Sequence, residues 1–248
     1  ARITLNRPDA ANAMDMALMR ELQAAAHECE TNAAIRAVLL TGSGKMFSAG
    51  GDLGWFGQHM DSLGALLREA TFYLHDAIKR FADMPKPLVV AVNGAAAGAG
   101  FSLAILGDYK LAARSSSFTV AYTAAGLSPD GGSSYLLPRL VGETRAKELM
   151  LTNRRLSAAE ALDWGLINEV VDDEELQEKA EAVALRLASG PTCAYGTVKQ
   201  LLNASAQSSL AAQLDREALG IAANGMRSDG QEGITAFLSK RKPRFEGR

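Results

Sequence analysis

The chain has 248 residues, 48% of them hydrophobic, which is enough to bury one large core or two small ones. A formal net charge of −2 provides no basic footprint, so neither nucleic acid nor an anionic membrane is expected as a partner. Two cysteines, Cys29 and Cys193, are too few for a disulfide framework, and His27, His59 and His75 lack ligand spacing, so no metal is expected. No apolar run is long enough to span a bilayer and no signal peptide opens the chain, which reads as a reduced, cytoplasmic protein.

The first residues, Ala1 to Pro8, read as a strand running into a turn, so the sequence is expected to start inside its domain. From Ala13 to Glu30, residues Met14, Leu18, Leu22, Ala25, Ala26 and Cys29 recur at helical spacing, with Asp15 as a cap. Arg36 to Thr41 reads as a buried strand closed by a Gly42-Ser43-Gly44 turn. A second helix is predicted over Leu63 to Met84, stopped by Pro85 and Pro87 before the apolar strand Leu88 to Val92. This alternation argues for parallel pairing in an α/β fold.

Beyond Leu140 the pattern turns helical, with periods at Thr144 to Leu151, Ser157 to Trp164, Glu174 to Ala188 and Thr192 to Ala223, and one short strand at Leu166 to Val171. Ser157 and Glu160 carry a capping-box spacing. A core over 1–190 and a C-terminal helical segment over 191–248 follow from this division. Lys240, Arg241, Lys242, Arg244 and Arg248 form a basic cluster that reads as a solvated tail.

Glycine and alanine concentrate in two turns, Phe47-Ser48-Ala49-Gly50-Gly51-Asp52-Leu53 and Asn93 to Leu103. The second leads into an apolar helix, whose first N–H groups lack intrahelical acceptors and suit an anion or a developing oxyanion. Neither turn is a nucleotide fingerprint. Leu103 stands where a dinucleotide loop needs its third small residue, and Leu39 and Met46 break the phosphate-loop pattern around Gly44-Lys45.

Asn6-Arg7-Pro8 with Ala11-Asn12-Ala13, the first glycine turn, Lys86-Pro87, Ala91-Val92-Asn93-Gly94, Leu137-Pro138-Arg139 and Gly142 together resemble the crotonase (enoyl-CoA hydratase/isomerase) superfamily in order and spacing. The resemblance runs to Ala236-Phe237-Leu238 and Lys240 to Pro243, essentially the whole chain. It implies a crotonase-like (ClpP/crotonase) spiral of ββα units. It also implies an acyl-CoA thioester as substrate with no separate cofactor, and a homotrimer or hexamer with the C-terminal helices as its oligomerisation segment. Gly51 and Ala99 then match the two main-chain oxyanion donors, each contributing roughly 2.7–4 kcal/mol to a developing enolate. Ala49, Asp52, Leu53, Gly98, Tyr122 and Pro129 fall where the family meets substrate or CoA, and the basic tail is placed near the CoA phosphates of a neighbouring subunit. Trp55 and Phe56 read first as packing residues.

The family's hydratases use two glutamates, and the matching positions here are Ser102 and Tyr122. With both carboxylates absent, the usual pair for adding water is missing. Asp130, in Ser128-Pro129-Asp130-Gly131, resembles the acid of the family's 3-enoyl-CoA to 2-enoyl-CoA isomerases and of its epoxyphenylacetyl-CoA isomerases. Taken by itself, Asp130 before Gly131-Gly132-Ser133-Ser134 also reads as a helix N-cap. The expected function is therefore a double-bond isomerase of acyl-CoA. A hydratase, an epoxyphenylacetyl-CoA-type ring isomerase and a non-catalytic acyl-CoA-binding protein remain as alternatives.

Overall fold

The computed structural model describes residues 1–248. In chain order it contains β1 (Arg2–Leu5), α1 (Met16–Thr31), β2 (Val38–Gly42), β3 (Met46–Ser48), α2 (Leu53–Gly57), α3 (Leu63–Asp83), β4 (Leu88–Val92), β5 (Ala95–Ala97), α4 (Ala99–Leu106), β6 (Tyr109–Ala113) and β7 (Ser117–Thr119). It continues with α5 (Ser133–Val141), α6 (Glu143–Thr152), β8 (Leu156–Ser157), α7 (Ala158–Asp163), β9 (Glu169–Val171), α8 (Leu176–Ala188), α9 (Thr192–Ser205), α10 (Leu210–Gly225) and α11 (Ser228–Leu238). One sheet has the order β1-β2-β4-β6-β9 and is parallel throughout. The other has the order β3-β5-β7-β8 and is parallel except for its last pair.

The two sheets grow together because the chain repeats one unit. β2, β4 and β6 of the first sheet each pass through a short turn into β3, β5 and β7 of the second. This is the spiral of ββα units expected from the sequence. The parallel strands carry apolar residues on both faces, as strands covered on both sides must. Val38, Leu40, Leu88, Val90, Val92 and Ala112 face the main core shared with α1, α3 and α4. Leu39, Val89, Ala91, Leu111, Ala113 and Val171 point the other way, onto Leu176, Ala180 and Val183 of α8.

Several local expectations hold at the level of single hydrogen bonds. Asp15 caps α1 by accepting from Leu18 N at 2.9 Å. The Ser157 side chain accepts from Glu160 N while Glu160 returns a bond to Ser157 N, completing the capping box. The predicted helix over Thr192 to Ala223 is instead two. α9 ends at Ser205, and Ser209 restarts the chain as the N-cap of α10 by accepting from Ala212 N at 3.2 Å. A serine that satisfies an orphan N–H offers the backbone a better partner than continued helix. The short strands β3, β5 and β7 escape periodicity because three residues are too few to show an alternation.

Buried polar side chains fix how the turns sit. Asn12 is fully buried, with φ of +52°, and its amide donates to Ser43 O, Met46 O and Phe47 O while accepting from Arg7 N. Asparagine both tolerates the left-handed conformation and supplies those bonds. Lys86, also buried, donates to the carbonyls of Cys29, Glu30 and Asn32 at the end of α1, and its loss of hydration pushes its pKa down. Asn12→Ala strands three carbonyls and one N–H, so it is expected to cost about 2–3 kcal/mol. For a domain of this size that is roughly a 5–10 °C fall in melting temperature, measurable by calorimetry, and an unchanged melting temperature would refute this role for Asn12.

Candidate active site

The turn after β3 and the turn after β5 lie side by side, and the contact is main chain against main chain. A Cβ on Gly50 would stand 2.7 Å from Ala97 O and 3.0 Å from Ala99 N, closer than the backbone allows. Gly50 and Gly98 also have φ of +93° and +52°, which side chains rarely adopt. Glycine at both positions lets the turns meet. Beside them, Gly51 N donates to no acceptor in the protein, although its neighbours are engaged: Gly50 N with Ser48 Oγ and Asp52 N with Met14 O. Ala99 is the first residue of α4, where an N–H has no carbonyl one turn back. Every residue of α4 is buried, so the helix end is held firmly by the core around it.

Both donors open into one cleft of about 360 Å³. Its apolar wall comes from Met19 of α1, from Leu67, Ala70 and Leu74 of α3, and from Phe56 and Leu127. Of the sequence-predicted site residues, Ala49, Gly51, Leu53, Gly98, Ala99, Tyr122 and Asp130 line it together. Asp52 and Pro129 do not. The Asp52 carboxylate is spent on structure, accepting from Trp55 N at 3.0 Å as the cap of α2 and from Arg7 at 3.2 Å. The Trp55 N–H and then the Arg7 side chain hold its pKa down. Arg7 also pairs with Asp15 at 3.2 Å, so one guanidinium ties the caps of α1 and α2. Phe56 is both buried and on the cleft wall, whereas Trp55 packs against the core.

Asp130 is not a helix cap. The N-cap of α5 is Gly132, with no side-chain cap bond, and only the backbone carbonyl of Asp130 serves that turn, accepting from Ser133 N and Ser133 Oγ. The carboxylate instead faces the cleft, where Tyr122 Oη donates to Oδ1 at 2.5 Å. Burial and the adjacent Asp130 charge both raise the Tyr122 pKa, so the phenol keeps its proton and acts as a donor. Ser102, on α4, lies 3.0 Å from Tyr122 Oη and donates to Asp130 O at 2.9 Å.

Ser102 and Tyr122, the residues matched to the family's two glutamates, therefore both hold Asp130, Tyr122 through its carboxylate and Ser102 through its backbone carbonyl. A Cβ on Gly131 would approach Ser102 Cβ to 2.7 Å, so the loop rests directly on this short side chain. Sequence reasoning missed His75, whose Nε2 stands 3.6 Å from Asp130 Oδ2, because a lone histidine on an amphipathic helix carries no local signal. In the tail, Arg241 pairs with Glu232 and Arg248 with Glu246, so part of the basic cluster is neutralised within the chain.

Two free main-chain donors beside one carboxylate can hold a carbonyl oxygen while a proton moves to or from a nearby carbon. The chain belongs to the enoyl-CoA hydratase/isomerase family, whose model matches residues 1–248, and it is an enzyme of that family acting on acyl-CoA thioesters. It is 41% identical to the 1,2-epoxyphenylacetyl-CoA isomerase of Escherichia coli K12, covering 99% of this chain and 94% of that protein. It is 43% identical to a probable enoyl-CoA hydratase of Rhodobacter capsulatus, over 100% and 95% of the two chains. The crystal structure of a putative enoyl-CoA hydratase/isomerase from Mycobacterium abscessus superposes with a TM-score of 0.95 at 37% identity, over 100% and 95% of the two chains.

Proline is tolerated at the first position of a helix but lacks the N–H. Ala99→Pro is thus expected to leave the fold intact, by circular dichroism, and to lower kcat on an acyl-CoA substrate roughly 10²–10³-fold. A folded variant with wild-type kcat would remove Ala99 from the site.

Proposed function

We propose that this protein is an acyl-CoA isomerase that moves a double bond from 3-enoyl-CoA to 2-enoyl-CoA. The observation that carries the reading is that Asp130 is the only carboxylate lining the cleft. A 1,3-proton shift needs one such group, whereas the family's usual hydration uses two. With the thioester oxygen on the N–H groups of Gly51 and Ala99, Asp130 takes a proton from C2, and the electrons pass into a dienolate held by those donors. The same carboxyl then returns its proton at C4, conjugating the double bond with the thioester. Tyr122 orients the Asp130 carboxylate by donating to Oδ1. Ala49, Leu53 and Gly98 border the thioester and the start of the CoA arm, and CoA enters as part of the substrate without a further cofactor.

A second reading keeps the site and changes the substrate to an epoxide of phenylacetyl-CoA, favoured by the 41% identity to the Escherichia coli isomerase. Side-by-side assays with a 3-enoyl-CoA and with that epoxide rank the two. Solvent oxygen incorporated into the product of a 2-enoyl-CoA would instead indicate hydration. Asp130→Asn is expected to lose roughly 10²–10⁴-fold in isomerase kcat while still binding CoA. Tyr122→Phe, which removes one hydrogen bond to a charged group, is expected to lose about 10–100-fold. Turnover at the wild-type rate in Asp130→Asn would sink the assignment.

The assembly follows from the C-terminal helices. Leu210, Leu214, Leu219 and Ile221 of α10 and Ile234 and Phe237 of α11 are all exposed in the single chain, more large apolar side chains than an isolated surface normally carries in one region. We place the interface of a homotrimer or hexamer on residues 191–248. No helix is long and apolar enough to cross a membrane, so burial against another chain is the natural cover for this region. Sedimentation equilibrium is expected to give three or six times the chain mass, and the mass of one chain would contradict the proposal.

A further inference from the structure

The loop bearing Asp130 is fastened at both ends of a single peptide group. On one side the Asp130 carbonyl accepts from Ser102 Oγ and Ser133 Oγ, each at 2.9 Å. On the other the Gly131 N–H donates to His75 Nε2, on α3, at 3.2 Å. Gly131 and Gly132 both have positive φ, +61° and +79°, and two successive glycines give the backbone many alternatives to its present course. The His75 bond ties this peptide to α3, as the Ser102 bond ties it to α4.

We propose that His75 is a positioning residue for the reaction: its neutral imidazole, protonated on Nδ1, accepts the Gly131 N–H and so keeps the Asp130 carboxylate aimed at the thioester. The tautomer follows from the bond, because an acceptor nitrogen must present a lone pair. The imidazolium has no lone pair to offer. On protonation the Gly131 N–H loses its partner, and the new Nε2–H has Asp130 Oδ2 at 3.6 Å, the oxygen that Tyr122 leaves free. One proton thus frees the Gly131 side of the peptide and ties up the base, while the Ser102 and Ser133 bonds to the Asp130 carbonyl remain. The His75 side chain is 41% exposed, so the ring exchanges protons with solvent.

The charges around this ring are few. Asp130 faces it from the loop, and Arg68 and Lys79 share its side of α3 at helical spacing. The charged groups that α1 turns toward α3 are paired on another side of that helix, Arg20 with Glu69 and Glu30 with Arg80, which also holds Asp76. α4 contributes no charged residue. α9 brings Lys199, which is bound to Asp108, and α5 brings Arg139, stacked on Tyr135.

This inference rests on Asp130 being the acid–base, and the experiment keeps the two apart. His75→Gln offers an amide oxygen that accepts the same N–H but does not titrate, and His75→Leu has neither property. For 3-enoyl-CoA isomerisation, His75→Leu is expected to lose about tenfold or more in kcat with KM within about twofold, and His75→Gln to recover most of that loss. Because the imidazole accepts the Gly131 N–H only while neutral, wild-type kcat is expected to fall on the acid side. In His75→Gln that limb is expected to disappear. Wild-type kcat in His75→Leu, or an unchanged acid limb in His75→Gln, would overturn the proposal. If His75→Leu fails to fold, the pH profile of His75→Gln decides alone. An active Asp130→Asn would overturn the isomerase reading itself, whereas an inactive one with indifferent His75 variants overturns only the role of His75.

Discussion

Everything in the site depends on two main-chain turns approaching until their backbones touch. Gly50 meets Ala97 and Ala99 at distances that exclude any side chain. That approach sets the N–H groups of Gly51 and Ala99 along one wall of the cleft, where neither is needed by the fold. The repeated passage from first sheet to second brings the turns together, because each strand pair ends beside the previous one. Asn12 and Arg7 then hold the first turn and the caps of α1 and α2 in place. In the proposed mechanism these two donors form an oxyanion hole set by the fold itself, which is what electrostatic stabilisation of a short-lived enolate requires.

Against that fixed wall the acid–base side has been rebuilt. Ser102 and Tyr122 occupy the positions of the two absent glutamates, and both hydrogen bond to Asp130. Ser102 is short enough for the Asp130–Gly131 peptide to rest on α4, and Tyr122 is long enough to reach the carboxylate across the cleft. In the proposed isomerisation, a carboxylate held by a phenol above an apolar wall would move a proton from carbon to carbon without needing to activate water.

Much of this was legible in the sequence, for local reasons. The caps at Asp15 and Ser157, the stripe of α1 and the proline stop before β4 are properties of short segments, and they survive folding unchanged. The ordered glycine turns pointed to the two stretches whose backbones meet beside the cleft, because tight turns demand small residues wherever they occur. The three-residue strands were hidden, since each is decided by a partner distant in sequence, and the caps at Ser209 and Asp52, as local as that at Asp15, stand where no apolar periodicity marks a helix start. His75 was invisible for the same reason as the strands: it stands 56 positions before Gly131, whose N–H it accepts. The bland reading of Asp130 as an N-cap failed because Gly132, at positive φ, starts α5 and frees the carboxylate.

The central claim is that one carboxyl both removes and returns the proton, and isotope transfer tests it most directly. A 3-enoyl-CoA carrying deuterium at C2 is converted in ordinary water and the 2-enoyl-CoA product examined by mass spectrometry and NMR. The account predicts measurable deuterium at C4, carried there by Asp130, and no oxygen from solvent. Complete replacement by solvent hydrogen at C4, or a product bearing solvent oxygen at C3, would contradict it.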